Sequence, residues 1–138
     1  MEDKLFFVGQ KAFLEKDGEI LILLDPKVGM DFPGGKIQKE ETDLVEALKR
    51  EVREETGLEI LVGEPFATWT NEFPPDYRYQ GWVFLVGYKC KYISGEVKLS
   101  HEHEQFFWVD KDSYKKYKKL DEKNGGYFKA LEKYFESL

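Results

Sequence analysis

Residues 50–58 read REVREETGL, and their helical character places everything on either side of them. Glu51, Glu54 and Glu55 stand together just before Gly57. Residues three and four apart on a helix are neighbours, and like charges at that spacing cost about 0.2–0.5 kcal/mol per pair. A helix C-terminus is also the negative end of its dipole, where carboxylates are least welcome. Two local rules are broken at one place, and compensation for such strain often comes from function.

Extended backwards, the pattern predicts a helix over residues 43–56, with Thr42 or Asp43 at its start and Gly57 in the left-handed position that ends it. On a wheel of 100° per residue with Leu44 as origin, Leu48, Val52 and Val45 fall within about 100° of one another and form the core stripe. Glu51 and Glu55 fall within about 20° of the origin, and Glu54 lies on the flank near ~280°. Glu46, Lys49 and Arg53 face solvent. Partly buried carboxylates must be paired or bound to metal. Arg50 can pair with Glu54 or with a neighbouring loop acid, but cannot neutralise all three. A hard divalent cation can, since Mg²⁺ and Mn²⁺ prefer carboxylate oxygens. Ahead of the helix, Pro33-Gly34-Gly35 is a break at which the backbone can approach a ligand closely.

On either side, strand character dominates. Residues 5–16 and 19–25 read as two strands joined at Asp17-Gly18, followed by a loop to residues 32–36. Strands are expected at 58–70, 77–90, 95–99 and 104–110, with a turn or loop at 71–76. The stretch 124–138 predicts a helix with Tyr127 or Phe128, Leu131, Phe135 and Leu138 on one face. The expectation is a mixed α/β sandwich with helices flanking a mixed sheet, in one domain spanning residues 1–138. There is no GxGxxG or Walker loop to support a Rossmann or P-loop reading.

Composition narrows the function. A net charge of -6 argues against a general nucleic-acid or membrane-surface binder. The single cysteine, Cys90, rules out an intramolecular disulfide and reads as a packing residue in an aromatic run. The start has no signal-peptide pattern and no run has the length of a membrane span, so a cytoplasmic protein is expected.

Taken together, residues 35–58, GKIQKEETDLVEALKREVREETGL, resemble the signature box of the Nudix hydrolases (MutT-like): a Gly, a Glu after five residues, then REUxEExGU with U aliphatic. Gly35, Glu41, Arg50, Glu51, Val52, Glu54, Glu55, Gly57 and Leu58 match by type. Eight residues separate Glu41 from Arg50 where the usual pattern has seven, which puts an extra residue in the turn before the helix. The resemblance implies the Nudix α/β/α sandwich. It also implies metal-dependent hydrolysis of a phosphoanhydride in a nucleoside diphosphate derivative, with Mg²⁺ or Mn²⁺ as cofactor and a small nucleotide as substrate. In that frame Glu51, Glu54, Glu55 and the Gly35 carbonyl are the metal ligands, Glu54 is also a candidate base, and Arg50 holds the carboxylates in place. Many relatives are homodimers.

A second acid is expected downstream, in KLSHEHEQFFWV (98–109): Glu102 first, with Glu104 and Gln105 as alternatives. The LSHEH pattern is similar to that of diadenosine tetraphosphate hydrolases and favours nucleoside polyphosphates, either deoxynucleoside triphosphates (oxidised or not) or diadenosine polyphosphates. The alternatives are ADP-ribose or nucleotide-sugar pyrophosphatase activity, or a non-catalytic nucleotide-binding regulatory domain. His101 and His103 lack the cysteine partners of a zinc site and read as polar loop residues. Trp69, Phe73, Tyr77, Tyr79 and Trp82 crowd around a Pro-Pro loop and, with Tyr127, are candidates for the nucleobase pocket, Trp69, Tyr79 and Tyr127 first; Arg78 is a candidate for a phosphate contact. Each aromatic competes with a plain core role. The lysines of YKKYKK (114–119) read as a solvated helix face or loop.

Overall fold

A computed structural model describes residues 1–121 and 125–138. Strands β1 (Phe6–Lys16) and β2 (Glu19–Asp25) form the expected hairpin, with Asp17 and Gly18 both at positive φ in its turn. Two three-residue strands, β3 (Gly29–Asp31) and β4 (Gly34–Lys36), lie within the segment expected to be loop. Then follow α1 (Leu44–Thr56), β5 (Glu59–Glu72), β6 (Trp82–Ser94), β7 (Gln105–Val109), a 3₁₀ segment (Tyr114–Asp121) and α2 (Gly126–Glu136). Asn124, expected to open the last helix, lies outside the described residues.

The sheet runs β3-β2-β1-β6-β5. Its pairings are antiparallel except β1 with β6, which is parallel, so the sheet is mixed. β1 forks. Its C-terminal end pairs with β2, while Gly9, Gln10 and Lys11 pair with Lys36, Gly35 and Gly34 of β4. That fork brings the Pro-Gly-Gly break against the middle of the sheet. On one face Leu48 and Val52 of α1 pack with Ala12, Leu14, Leu21, Leu23 and Ile60. On the other, Phe128, Leu131 and Phe135 of α2 pack with Phe13, Ile20, Ile22 and Phe32. Cys90 is buried on the α1 side, in the packing role expected of it. No helix among the described residues is long and apolar enough to cross a membrane.

Helix α1 is capped as its sequence predicts. Asp43 Oδ1 accepts hydrogen bonds from the Val45 and Glu46 amides, and Gly57 closes the helix at φ 77° with its N–H on the Arg53 carbonyl. The stripe is shifted, however. Leu44 and Val45 are exposed and burial begins at Ala47, one turn in, where the helix meets the sheet.

Two strand expectations are corrected. Residues 77–81 are not the start of β6. They fold back as a loop with Gly81 at φ 100°, and the Phe73 amide bonds to the Gly81 carbonyl. Residues 95–99 form no strand either. The Lys98 amide donates to Thr56 O and the Ser100 amide to Glu55 O. These carbonyls belong to the last turn of α1, where the helix itself supplies no donors. The segment therefore serves as a C-terminal clamp on α1, and it carries His103 to the side of Glu55.

Candidate active site

The site opens between the last turns of α1, the β4 backbone and the segment after β6. A cleft of about 450 Å³ is lined by Gly34, Gly35 and Lys36 of β4, by Glu51, Glu54 and Glu55 of α1, and by Arg78, Tyr79, Glu102 and His103 opposite. It continues into a narrower pocket of about 90 Å³ between Val28, Phe73, Tyr77, Val83, Leu85 and Tyr127. Lys11, Asp31, Lys36 and Tyr77 line both. A larger hollow of about 630 Å³ lies on the outer side of residues 70–76 and touches none of the three helix glutamates.

Arg50 organises the carboxylates. Its Nε and Nη2 each donate to Glu41 at 3.0 Å, Nη2 also donates to Glu51 Oε1 at 2.9 Å, and Nη1 donates to both oxygens of Glu54 at 2.9 and 3.1 Å. Burial works against its charge, but these bonds from Glu54, Glu41 and Glu51 outweigh it and raise its pKa. The fork geometry of a guanidinium suits several carboxylates at once, which a lysine cannot match. Glu41 fills this role despite its longer spacing, because the chain turns at residues 39–40 before the helix begins.

Gly35 is there for closeness. A Cβ on it would lie 2.5 Å from Glu51 Oε2. The carboxylate is thus pressed against the β4 backbone, and any side chain at residue 35 would displace it. Glu55 is 6% exposed, with Oε1 accepting the Gly34 amide at 2.9 Å. Burial pushes its pKa up to about 8 against the pull of Lys11, and burial likewise raises that of Glu51 against Arg50. These are hard oxygen donors held where their own ionisation is costly. That donor set fits a divalent cation such as Mg²⁺ or Mn²⁺.

Across the cleft, Glu102 is half-exposed, with Arg78 at 3.9 Å. Glu104 and Gln105, the alternatives to it, do not line the cleft: Glu104 faces another hollow, and Gln105 pairs with Leu24 at the start of β7. Lys36 sits 4.1 Å over the Tyr79 ring, and its pKa is lowered by burial and by the neighbouring Lys11 and Arg78. Tyr77 stacks on Phe73 at 5.4 Å. Tyr127 forms part of the inner pocket, whereas Trp69 does not. Trp69 lies in the core between Phe13 and Tyr127, with Gly126 close against its ring, so its place is behind the pocket wall rather than on it. Tyr77, another of the aromatics crowded around the Pro-Pro loop, lines the cleft and the pocket in its stead.

The reading of His103 as a polar loop residue is also corrected. It is buried, with Nε2 2.9 Å from Asp31 Oδ2 and Nδ1 3.5 Å from Glu55 Oε2. Asp31 in turn meets Lys11 Nζ at 2.9 Å. Burial opposes both charges, but Lys11 and His103 hold Asp31 down at about 2, and Asp31 raises Lys11. The only sequence signals for this group were a lysine and an aspartate set in otherwise apolar stretches. Asp25, Asp31 and His103 place their ligand-type atoms within 4.8 Å of one another. The Lys11 ammonium on Asp31 makes that a poor place for a cation.

The model of the NUDIX domain family matches residues 11–131. The chain is 32% identical over 102 residues to a CTP pyrophosphohydrolase of Escherichia coli (strain K12), covering 70% of each chain. A MutT protein of Methanosarcina mazei Go1 superposes with a TM-score of 0.77 at 24% identity, over 99% of this chain and 98% of the other. A DNA mismatch repair protein MutT of the Nudix hydrolase family, from methicillin-resistant Staphylococcus aureus 252, superposes at 0.70 with 26% identity, over 99% of this chain and 100% of that one. The chain belongs to the NUDIX domain family and is a Nudix hydrolase. Members of this family act on small nucleotides and generally use divalent metals, in keeping with the oxygen donors gathered on α1.

Proposed function

We propose that this protein is a metal-dependent pyrophosphohydrolase of nucleoside triphosphates, releasing a nucleoside monophosphate and pyrophosphate. The observation that carries the reading is the composition of one cleft. Glu51, Glu54 and Glu55 of α1 and Gly35 and Lys36 of β4 line one side, Glu102 and Arg78 face them, and an aromatic-walled pocket continues from the same space. The CTP pyrophosphohydrolase relative supports a triphosphate over a sugar- or ribose-linked diphosphate.

Glu51, Glu54, Glu55 and the Gly35 carbonyl would hold the cation. A divalent ion bound there would neutralise phosphate charge and make water a better nucleophile. Arg50 keeps Glu51 and Glu54 aimed into the cleft. Lys36 and Arg78 meet the polyphosphate, and Tyr77, Tyr79 and Tyr127 flank the base and sugar. Glu102 or Glu54 takes the proton of the attacking water. The water oxygen forms the new P–O bond, and the bridging oxygen of the anhydride leaves with pyrophosphate.

The test is product release from a panel: CTP and the other nucleoside triphosphates, oxidised deoxynucleoside triphosphates, diadenosine polyphosphates, ADP-ribose and nucleotide sugars. Each is supplied with Mg²⁺, Mn²⁺ or EDTA. The expected result is cation-dependent cleavage of a triphosphate well above the rest. Preference for ADP-ribose or a nucleotide sugar replaces the substrate class, and nucleotide binding without cleavage of any member replaces the enzyme reading by a regulatory one.

A further inference from the structure

We infer that His103, held by Asp31 and Lys11, is the positioning residue that aims the Glu55 carboxylate into the metal site. The inference rests on the reading of Glu55 as a metal ligand. Four residues from four separate parts of the chain meet behind that carboxylate. Lys11 comes from β1, Asp31 from the end of β3, Glu55 from α1 and His103 from the segment after β6. All four are less than a tenth exposed.

The contacts run in one line. Lys11 Nζ lies 2.9 Å from Asp31 Oδ1, Asp31 Oδ2 lies 2.9 Å from His103 Nε2, and His103 Nδ1 lies 3.5 Å from Glu55 Oε2. Asp31 is itself fixed, accepting the Phe32 amide at 2.8 Å. The imidazole therefore has one nitrogen anchored and the other directed at Glu55. That second nitrogen is buried without a hydrogen-bond partner. An unpaired buried polar atom is costly and calls for an explanation. At 3.5 Å it stands just beyond the roughly 2.7–3.2 Å of a nitrogen–oxygen hydrogen bond, so a small movement of Glu55 brings the two within bonding distance.

Glu55 has its other oxygen, Oε1, on the Gly34 amide. With Oε1 held by the β4 backbone and Oε2 flanked by the imidazole, the carboxylate plane has little freedom to rotate. Groups behind metal ligands orient them in this way, and their loss typically costs about 10–100-fold in metal affinity or activity. The arrangement also explains why a lysine is tolerated inside β1. Its ammonium balances Asp31, 2.9 Å away.

Two substitutions separate positioning from scaffolding. The amide of His103→Gln reaches the place of Nε2 and preserves the bond to Asp31, but leaves nothing at Nδ1. The amide of His103→Asn reaches the place of Nδ1 and faces Glu55. Mn²⁺ affinity is read from the free-ion paramagnetic resonance signal, beside the melting temperature and the kcat and KM of CTP hydrolysis. The expected result is a weakening of Mn²⁺ binding and a fall in kcat of about tenfold in His103→Gln with its melting temperature kept, KM changing less than twofold, and recovery toward wild type in His103→Asn. Wild-type Mn²⁺ affinity and kcat in His103→Gln overturn the proposal. Glu55→Gln serves as the control. If it binds Mn²⁺ as the wild type does, the metal-ligand reading fails and takes this inference with it. If it loses Mn²⁺ while His103→Gln keeps it, the inference alone fails.

Discussion

The two walls of the cleft are built by different rules. The α1 wall is local. Glu51, Glu54 and Glu55 sit within five residues, and a single guanidinium at residue 50 ties Glu51 and Glu54 to Glu41 of the preceding turn. The opposite wall is assembled from afar. His103 contacts Asp31 across 72 positions of chain, and Tyr77, Arg78 and Glu102 reach the cleft from two separate loops. Helical spacing alone places the first wall. The second exists only because residues 95–103 clamp the end of α1 and residues 77–81 fold back over β4.

The largest effect belongs to the local wall. Glu55→Gln is expected to lower kcat more than about 10²-fold while preserving the fold, since it removes a charge that the cation needs at the centre of the site. Activity assays beside circular dichroism check it, and near-normal turnover breaks the assignment of that wall. Next is Arg50→Lys. A lysine keeps the charge but cannot fork between Glu41, Glu51 and Glu54, so kcat is expected to drop about 10–100-fold. Equal activity in that variant means the carboxylates hold their places without the guanidinium.

On the opposite wall the effects should appear in binding. Tyr77→Ala removes a ring that lines both the cleft and the inner pocket, and is expected to raise KM for the nucleotide by about five- to tenfold, a stacking loss near 1 kcal/mol, with kcat little changed. A fall in kcat with KM intact would place Tyr77 with the reacting atoms instead.

A separate effect is on stability. Glu55 has its native pKa raised from 4.5 to about 8 by burial, so between those values the native state holds a proton that the unfolded chain has lost. Metal-free protein should accordingly be most favoured by this group below about pH 4.5 and lose that contribution as pH rises through 8. Melting temperatures against pH, with Glu55→Gln as the comparison, read it. Mn²⁺ competes with that proton, so its affinity should climb over the same interval.

The same division governs what the sequence disclosed. The hairpin at Asp17-Gly18, the caps at Asp43 and Gly57 and the grouping of carboxylates on α1 are written in adjacent residues, where turn chemistry and helical period act directly. The partial exposure of Leu44 and Val45 depends on where the helix meets the sheet, which no wheel contains. Residues 77–81 have the aromatic composition of a strand, but their backbone bonds go to a turn closed at Gly81. Residues 95–99 have strand-like alternation, but the carbonyls that end α1 take the amides of Lys98 and Ser100. Trp69 and Tyr127 are neighbours in space, yet only Tyr127 lines the pocket, because the packing of α2 on β5 decides which ring covers the other. Lys11, Asp31 and His103 carry no common spacing, and only the fork of β1 between β2 and β4 explains their meeting with Glu55.

The measurement that bears most directly on the central claim is an anomalous difference map from crystals soaked with Mn²⁺ and a non-hydrolysable nucleoside triphosphate. Density for the ion is expected among Glu51, Glu54, Glu55 and the Gly35 carbonyl, with the triphosphate running past Lys36 toward the Tyr127 pocket. Mn²⁺ bound instead at Asp25, Asp31 and His103, or a nucleotide seated without any ion beside α1, would contradict that claim.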